Sequence, residues 1–406
     1  MGNELTKKTF NYGWVIVVLF ALGTFTYQGL QFQLTILAPD IIGTLGFTPN
    51  QFNSVFNSPM LPAIFGSILF GLIVDKFGLK ICIAIAMLLS AIGGIGHVYA
   101  SSYGVMFVTM LLTGVGATAM NVTSNKFFGS WLKKPELISI GMGCFLSAST
   151  VGQFVAQSTT AYFDSMSIAF WVSGIMCVVV LVLFIIFGKE NKAIEGEQVM
   201  EVPTVRETVR VVFKSKNMWL CAFGLFFILG CQMAFNVWLP TALMESGLAQ
   251  TSAGMITSVV SLGNLCGSLF MPMIAAKVGR DKPFIIGFFI ICAAGYAFGW
   301  QMTGALRIII LWVSGLCASA LMPFFFSMPM KFKEVGPRYA GTATGLISTI
   351  ELLGAVLLSE RILLPLCQSA DGILFAKYFY LVGVCWLIGL VLALFIPETG
   401  AKARNA

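Results

Sequence analysis

The chain has 406 residues, of which 58% are hydrophobic and only 10% are charged, whereas a soluble domain carries about 25% charged residues. This composition excludes an ordinary soluble domain and predicts a protein that lies largely within a membrane. The net charge of +7 does not imply a nucleic-acid partner, because most of the basic residues lie in loops beside apolar segments, as in the cytoplasmic loops of membrane proteins.

Apolar segments recur along the whole chain. A helix needs about 20 predominantly apolar residues to cross the hydrocarbon core of a bilayer, and backbone groups in lipid must satisfy their own hydrogen bonds. The segments are therefore expected to be membrane-spanning α-helices. There are twelve of them, at 13–37, 52–74, 81–100, 104–126, 138–162, 168–187, 218–242, 252–275, 284–303, 306–329, 341–363 and 374–396.

The basic residues predict how these segments are oriented. If the N-terminus is cytoplasmic, every Lys and Arg except Arg307, Arg361 and Lys377 falls on the cytoplasmic side. Loops rich in Lys and Arg stay in the cytoplasm. Both termini are therefore predicted to be cytoplasmic.

One long polar loop, 188–217, separates the sixth segment from the seventh. It predicts an N-terminal six-helix bundle over 1–187, a cytoplasmic linker, and a C-terminal six-helix bundle over 218–406. Apolar residues recur in the loop at helical spacing between charges, which indicates an amphipathic helix along the membrane surface. These residues are Val202, Val205, Val209, Val212 and Phe213, and Pro203 stands where it could open the helix.

The two halves repeat one another at a constant offset of 201 residues. "GSILFGLIVDKFG" at 66–78 aligns with "GSLFMPMIAAKVG" at 267–279. Since six spans return the chain to the side on which it began, the two halves are predicted to have parallel orientation. The same offset pairs Gln31 with Gln232, Pro39 with Pro240, Gly46 with Gly247, Gly78 with Gly279 and Gly114 with Gly315.

The loop after the second span, "GLIVDKFGLK" at 71–80, carries a family resemblance. Together with twelve spans in two repeated halves, it resembles the major facilitator superfamily, and the resemblance covers essentially the whole chain. The family's loop has the form G-x-x-x-D-[RK]-x-G-[RK]-x-[RK]. Gly71, Asp75, Lys76 and Gly78 match it here, Leu79 replaces a usual Arg, and Lys80 is the next basic residue of the loop and is included in it.

The resemblance implies an all-α membrane fold with alternating access to a substrate site near the midplane, between the halves. It also implies that the loop is a conformational latch, with Asp75 near a helix N-terminus of the other half, where an anion is favoured. The alternative is a tight cytoplasmic turn that its charges keep inside. The stretch 235–254 is similar to the same region of cyanate and nitroimidazole permeases and, more distantly, of anion/cation symporters.

Polar side chains inside the spans are candidates for substrate binding, because such groups are costly in a membrane. The first span carries Gln28 and Gln31 on one face, and the seventh carries Gln232 and Asn236 at equivalent positions. The alternative is that the amides form hydrogen bonds between helices, and that the aromatic candidate, Trp312, serves only in packing. The full set of candidates is Gln28, Gln31, Asn121, Asn125, Gln153, Gln157, Gln232, Asn236, Asn264 and Trp312.

Glu351 is the acid expected at the centre of a span, in "GLISTIELLGAVLLSE". A carboxylate at that depth is costly unless it is paired or protonated, so Glu351 is the candidate for proton coupling. The alternative is a structural hydrogen bond or ion pair. Glu360 and Arg361 lie nearer the outer surface, where a mutual ion pair or an extracellular gate is expected.

Several absences narrow the function. Met110 stands where many proton-coupled members of the family have an Arg, and Ala156 and Gln157 replace the Gly-Pro of a drug antiporter signature. No catalytic cluster is present, so an enzyme is not expected. One histidine and scattered cysteines predict neither a metal site nor a disulfide framework.

These observations predict a secondary active transporter that moves a small polar organic solute, an organic anion, by proton-coupled symport. It is expected to be a multi-pass monomer of the bacterial inner (plasma) membrane, with membrane lipids and a small-molecule substrate as its partners, the proton gradient as driving force, and no cofactor. An exporter or facilitator of neutral or lipophilic compounds is the alternative, and a channel would not need two rocking halves.

Overall fold

The computed structural model describes residues 2–132, 135–191, 205–332, 334–335, 339–369 and 372–400. The chain divides into two compact units, Met1–Gln198 and Val199–Ala406. The described residues are almost entirely helical, which confirms the predicted all-α membrane fold. Nine of the described helices are long and apolar enough to cross a membrane, and the other three predicted spans, the second, fifth and eleventh, are helical as well.

The described part of the first unit contains seven α-helices, which together account for the first six predicted spans. The second span is made of two helices in succession, and the other five have one helix each. The helices are α1 Gly2–Leu45, α2 Pro49–Asn57, α3 Leu61–Phe77, α4 Leu79–Gly96, α5 Tyr103–Leu132, α6 Pro135–Thr159 and α7 Met166–Phe187.

The described part of the second unit begins with a short helix in the linker and continues with the last six predicted spans and a small hairpin. Strands β1 and β2 are antiparallel and pair Gln368 with Ile373. The elements are α8 Val205–Lys214, α9 Lys216–Glu245, α10 Gln250–Val278, α11 Lys282–Phe298, α12 Gly304–Lys331, α13 Ala340–Val356, α14 Leu364–Cys367, β1 Gln368–Ser369, β2 Gly372–Ile373 and α15 Phe375–Leu394.

Two predicted spans are less regular than expected. The second is interrupted by a 3₁₀ turn at Ser58–Met60 between α2 and α3, where Pro59 and Pro62 remove two backbone donors. The eleventh changes after α13 into a π-helix at Leu357–Leu363. In the linker, α8 begins at Val205, and the predicted Val202 and Pro203 lie outside the described residues.

The predicted repeat is present in the backbone. Gly78 ends α3 with φ +88°, and Gly279 ends α10 with φ +77°, and a positive φ favours glycine. A Cβ built on Gly114 would clash with the carbonyl oxygen of Pro59, and one built on Gly315 would clash with that of Val260. The glycines of each pair are separated by 201 residues, and so are the two carbonyls, so the same helix contact recurs in both units.

Candidate functional site

The two glutamines related by the repeat each tie their helix to a neighbour in the same unit. Gln31 on α1 donates its Nε2–H to the carbonyl of Phe56 on α2, at 2.9 Å. Gln232 on α9 donates to the carbonyl of Ala318 on α12, at 3.2 Å. Both residues are buried, and their amide nitrogens join neighbouring helices, which is the alternative that the sequence left open. The two carbonyls that accept these hydrogen bonds, of Phe56 and Ala318, are not related by the repeat.

Other polar groups of α1 and α9 differ in how far their hydrogen-bonding capacity is used. Gln28 is half-buried on α1. Asn236, which is 1% exposed, donates Nδ2–H to the carbonyl of Gln232 at 2.8 Å. Its Oδ1 is buried and accepts no hydrogen bond from the described residues. A buried acceptor of this kind is costly to leave unused, so the Asn236 oxygen is suited to a ligand that donates a hydrogen bond.

Asn264 offers a second unused acceptor in the same unit. It lies on α10 and is 7% exposed, and its Oδ1 has no hydrogen-bond partner among the described residues. A Cβ built on the preceding Gly263 would clash with the carbonyl oxygen of Trp312 on α12. This close crossing of α10 and α12 holds the backbone beside Asn264 near the half-buried Trp312.

The first unit exposes a different kind of polar group. Asn121, Asn125 and Lys126 on α5 are all exposed, and Asn121 donates Nδ2–H to the carbonyl of Ala117 at 3.0 Å. Gln153 and Gln157 on α6 are instead buried. The exposed residues of α5 therefore combine a positive charge with amide groups, which suits recognition of a carboxylate.

Glu351 lies on α13 and is 8% exposed. Its carboxylate makes no hydrogen bond or ion pair with any residue in the described part of the chain, and its neighbours include the buried Cys221 on α9. The crossing of α9 and α13 is tight, since a Cβ built on Gly354 would clash with the carbonyl oxygen of Phe226. Glu351 is thus an acid without a described basic partner, on a helix that packs closely against α9.

The acid further along the same span is paired. A carboxylate oxygen of Glu360 lies 3.2 Å from a guanidinium nitrogen of Arg361, which confirms the predicted ion pair. Glu360 is buried, whereas the Arg361 side chain is 72% exposed. The charge of Glu360 is therefore balanced by a neighbouring cation, whereas Glu351 has no basic partner among the described residues.

The loop predicted to be a latch turns tightly between α3 and α4. The amide of Leu79, the first residue of α4, donates to the carboxylate of Glu190 at 3.1 Å. A Cβ on Gly78 would lie 3.3 Å from the same carboxylate. Lys76 is exposed and Lys80 half-buried, whereas the burial of Gly71 and the side chain of Asp75 are not among the features described, so the predicted contact of Asp75 stays a prediction.

The second unit has the same arrangement at the start of α11. The carboxylate of Glu398 accepts from the amides of Asp281 at 2.8 Å and Lys282 at 3.2 Å. A carboxylate at a helix N-terminus satisfies open N–H groups and complements the helix dipole. Sequence reasoning missed Glu190 and Glu398, although each is the first acid after the last span of its half.

Asp281 and Glu334 complete the contacts at this end of the second unit. Asp281 accepts hydrogen bonds from Lys331 and from Thr399, each at 2.7 Å. Burial alone would raise the pKa of Glu334, but hydrogen bonds from its own backbone, Asn217 and Ser215 outweigh this and lower it below its usual value. These bonds join the start of α9, the start of α11, the end of α12 and the segment after α15.

We expect Glu398→Ala to lower the free energy of unfolding by about 1–2 kcal/mol, the cost of losing an N-terminal cap. The loss should appear as a lower unfolding midpoint in detergent, followed by intrinsic fluorescence. Glu245→Ala is the control, because Glu245 is an exposed acid at a helix end and such changes usually stay within about 0.5 kcal/mol. Equal midpoints for the two variants would show that the cap contributes nothing.

Comparison with known proteins identifies the architecture. The family model described as Major Facilitator Superfamily matches residues 14–359. The 3-(3-hydroxy-phenyl)propionate transporter of Escherichia coli K12 is 24% identical, covering 86% of this chain and 89% of the relative. The hexuronate transporter of the same strain is 22% identical, covering 94% and 93%.

A solved structure agrees with this match at the level of the fold. The crystal structure of a bacterial homologue of the human lysosomal transporter Spinster superimposes with a TM-score of 0.75. The two proteins are 12% identical, and the match covers 95% of each chain. At that identity the likeness concerns the twelve-helix fold alone.

Proposed function

The chain belongs to the Major Facilitator Superfamily and is a multi-pass secondary transporter of small organic solutes; we propose that its substrate is an organic anion and that transport is coupled to protons. Transport would proceed by alternating access in the plasma membrane, which for a bacterial protein is the inner membrane. The single observation that supports proton coupling is that Glu351 has a buried carboxyl without a basic partner among the described residues.

Proton coupling by Glu351 follows from the cost of burying a charge. A charged carboxylate in a membrane protein is expensive unless a cation or several donors compensate it. Taking up a proton removes that cost, so the protonated and ionised forms of the carboxyl can favour different conformations of the transporter. On the same span, Arg361 lies beside Glu360 and compensates the charge of its carboxylate. Burial of that carboxylate therefore does not require protonation.

The anionic nature of the substrate is supported by α5 and by the relatives. Lys126 and the neighbouring Asn125 and Asn121 are exposed on one helix, and a charge-assisted hydrogen bond from Lys to carboxylate is among the stronger polar contacts. The relatives named for hexuronate and for 3-(3-hydroxy-phenyl)propionate are named for compounds that carry both a carboxylate and hydroxyl groups.

The amides would recognise the rest of the substrate. Asn236 and Asn264 present buried oxygens that accept no hydrogen bond from described residues, and substrate hydroxyls would donate to them. Gln31 and Gln232 would use their amide oxygens, since their nitrogens bond to backbone carbonyls. Gln28, Gln153, Gln157 and Trp312 complete the proposed substrate-binding set, and the loop 71–80 is proposed as the conformational latch.

Uptake into proteoliposomes tests the proposal. Purified transporter would be given radiolabelled glucuronate, 3-(3-hydroxyphenyl)propionate or a neutral hexose, with and without an inward proton gradient. We expect at least one of the acids to accumulate only when the gradient is present, and the hexose to remain outside. Equilibration of a neutral solute without any gradient, with no uptake of the acids, would favour a facilitator instead.

Lys126→Gln should raise the apparent KM for the accumulated acid about tenfold, which corresponds to about 1.4 kcal/mol of lost carboxylate binding. The maximal rate should change less, because the proton-carrying group is left in place. Lys214→Gln removes a charge from an exposed residue of α8 and is the matched control. An unchanged KM in the Lys126 variant would remove this residue from the substrate site.

A further inference from the structure

One end of the second unit holds the three basic residues that sequence analysis places on the outside. This end, here termed the hairpin end, includes the end of α9, the turn after α11 and strand β2, whose residues line a common cavity. Arg361 is exposed and paired with Glu360. Lys377 is exposed and donates to the carbonyl of Leu366 at 2.7 Å. Arg307 differs from both, because it is 9% exposed.

Arg307 lies in the first turn of α12, and its side chain folds back toward the start of the helix. Its Nε–H donates to the carbonyl of Met302, which agrees with the tilt of helical side chains toward the N-terminus. No carboxylate in the described part of the chain pairs with the guanidinium, and its remaining N–H groups have no acceptor there. A buried Arg is normally paired, so the charge calls for a compensating anion.

The backbone around Arg307 also favours an anion. Thr303 occupies the N-cap position of α12, and its side chain makes no capping hydrogen bond. The first amides of this 28-residue helix therefore lack a side-chain acceptor among the described residues, at the point toward which the guanidinium folds. Open amides at a helix N-terminus and a guanidinium both bind oxyanions, and here they occur within one turn.

We propose that Arg307 and the start of α12 form a binding site for an oxyanion, either a phosphate or a carboxylate group. The guanidinium donates paired hydrogen bonds to the anion, and the first amides of α12 complete its coordination. The anion can come from a phospholipid headgroup or from solution. The apolar side chains next to Arg307 on α12 are exposed and offer a surface to acyl chains. They belong to Leu306, Ile308 and Ile309.

Two measurements on the full chain distinguish these sources. In the first, native mass spectrometry follows retention of phosphatidylglycerol or phosphatidylcholine added equally to the protein in detergent. In the second, thermal unfolding of delipidated protein is followed in inorganic phosphate and in chloride of equal ionic strength. For a lipid site, Arg307→Gln should reduce phosphatidylglycerol retention about tenfold. For a soluble anion, the same change should abolish the stabilisation by phosphate.

Lys377→Gln is the matched control, since it removes an equal charge from the same end and should leave both measurements as in the wild type. Arg307→Lys keeps the charge but loses the planar fork, and an intermediate result is expected. If wild-type protein retains both lipids equally and gains no stability from phosphate, the site does not exist, whether or not the variants fold. Equal losses in the Arg307 and Lys377 variants would likewise overturn it and indicate a general charge effect.

Discussion

Replacing Glu351 by Gln is expected to abolish accumulation of the substrate against its gradient. With one proton carried per substrate, a pH difference of two units can support accumulation of up to about 100-fold, since each factor of ten corresponds to about 1.4 kcal/mol. The Gln side chain has nearly the same shape but cannot exchange a proton, so the accumulation ratio should fall to about one. Counterflow of labelled against unlabelled substrate should persist, because that exchange needs no net proton movement.

The structure supplies a matched control on the same span. Glu360→Gln removes the acid that lies 3.2 Å from Arg361, and its accumulation ratio should stay close to that of the wild type. Both variants would be measured in proteoliposomes with the same imposed pH gradient. Full accumulation by the Glu351 variant would mean that another group carries the proton, and loss of accumulation in the Glu360 variant alone would transfer the role to that residue.

The sequence predicts the fold well because lipid leaves few alternatives. Apolar length alone places the spans, and glycines that the sequence pairs at a constant offset make equivalent contacts in the structure, Gly114 against Pro59 and Gly315 against Val260. The interruptions are harder to predict. The 3₁₀ turn beside Pro59 has a local cause in the missing donors, whereas the π-helix at Leu357–Leu363 follows no pattern that the sequence shows.

The candidate site is less predictable, because the same polar residue can join two helices or meet a ligand. Sequence symmetry makes Gln31 and Gln232 equivalent, yet their donors go to α2 in one unit and to α12 in the other. Asn236 and Asn264 are distinguished only by amide oxygens that accept no hydrogen bond from any described residue. The caps formed by Glu190 and Glu398 also depend on tertiary contacts, since each joins residues more than one hundred positions apart.

Replacing Gly315 by Ala is expected to destabilise the second unit by about 1–3 kcal/mol, the usual cost of overpacking a well-packed interior. The added Cβ would clash with the carbonyl oxygen of Val260, and a backbone atom cannot move aside as a flexible side chain can. The helices α10 and α12 would have to separate along the crossing that also includes Asn264 and Trp312. Both the unfolding midpoint in detergent and the apparent substrate affinity should therefore decrease.

Gly287→Ala provides a control with the opposite expected sign. Gly287 lies within α11, and a Cβ there would meet no described residue within 4 Å. Alanine is favoured over glycine inside a helix by about 0.5–1 kcal/mol, so this variant should unfold at a slightly higher temperature than the wild type. Because the chemical change is the same at both positions, opposite shifts would isolate the helix crossing as the cause, while stabilisation by Gly315→Ala would show that α10 and α12 do not approach so closely in the folded protein.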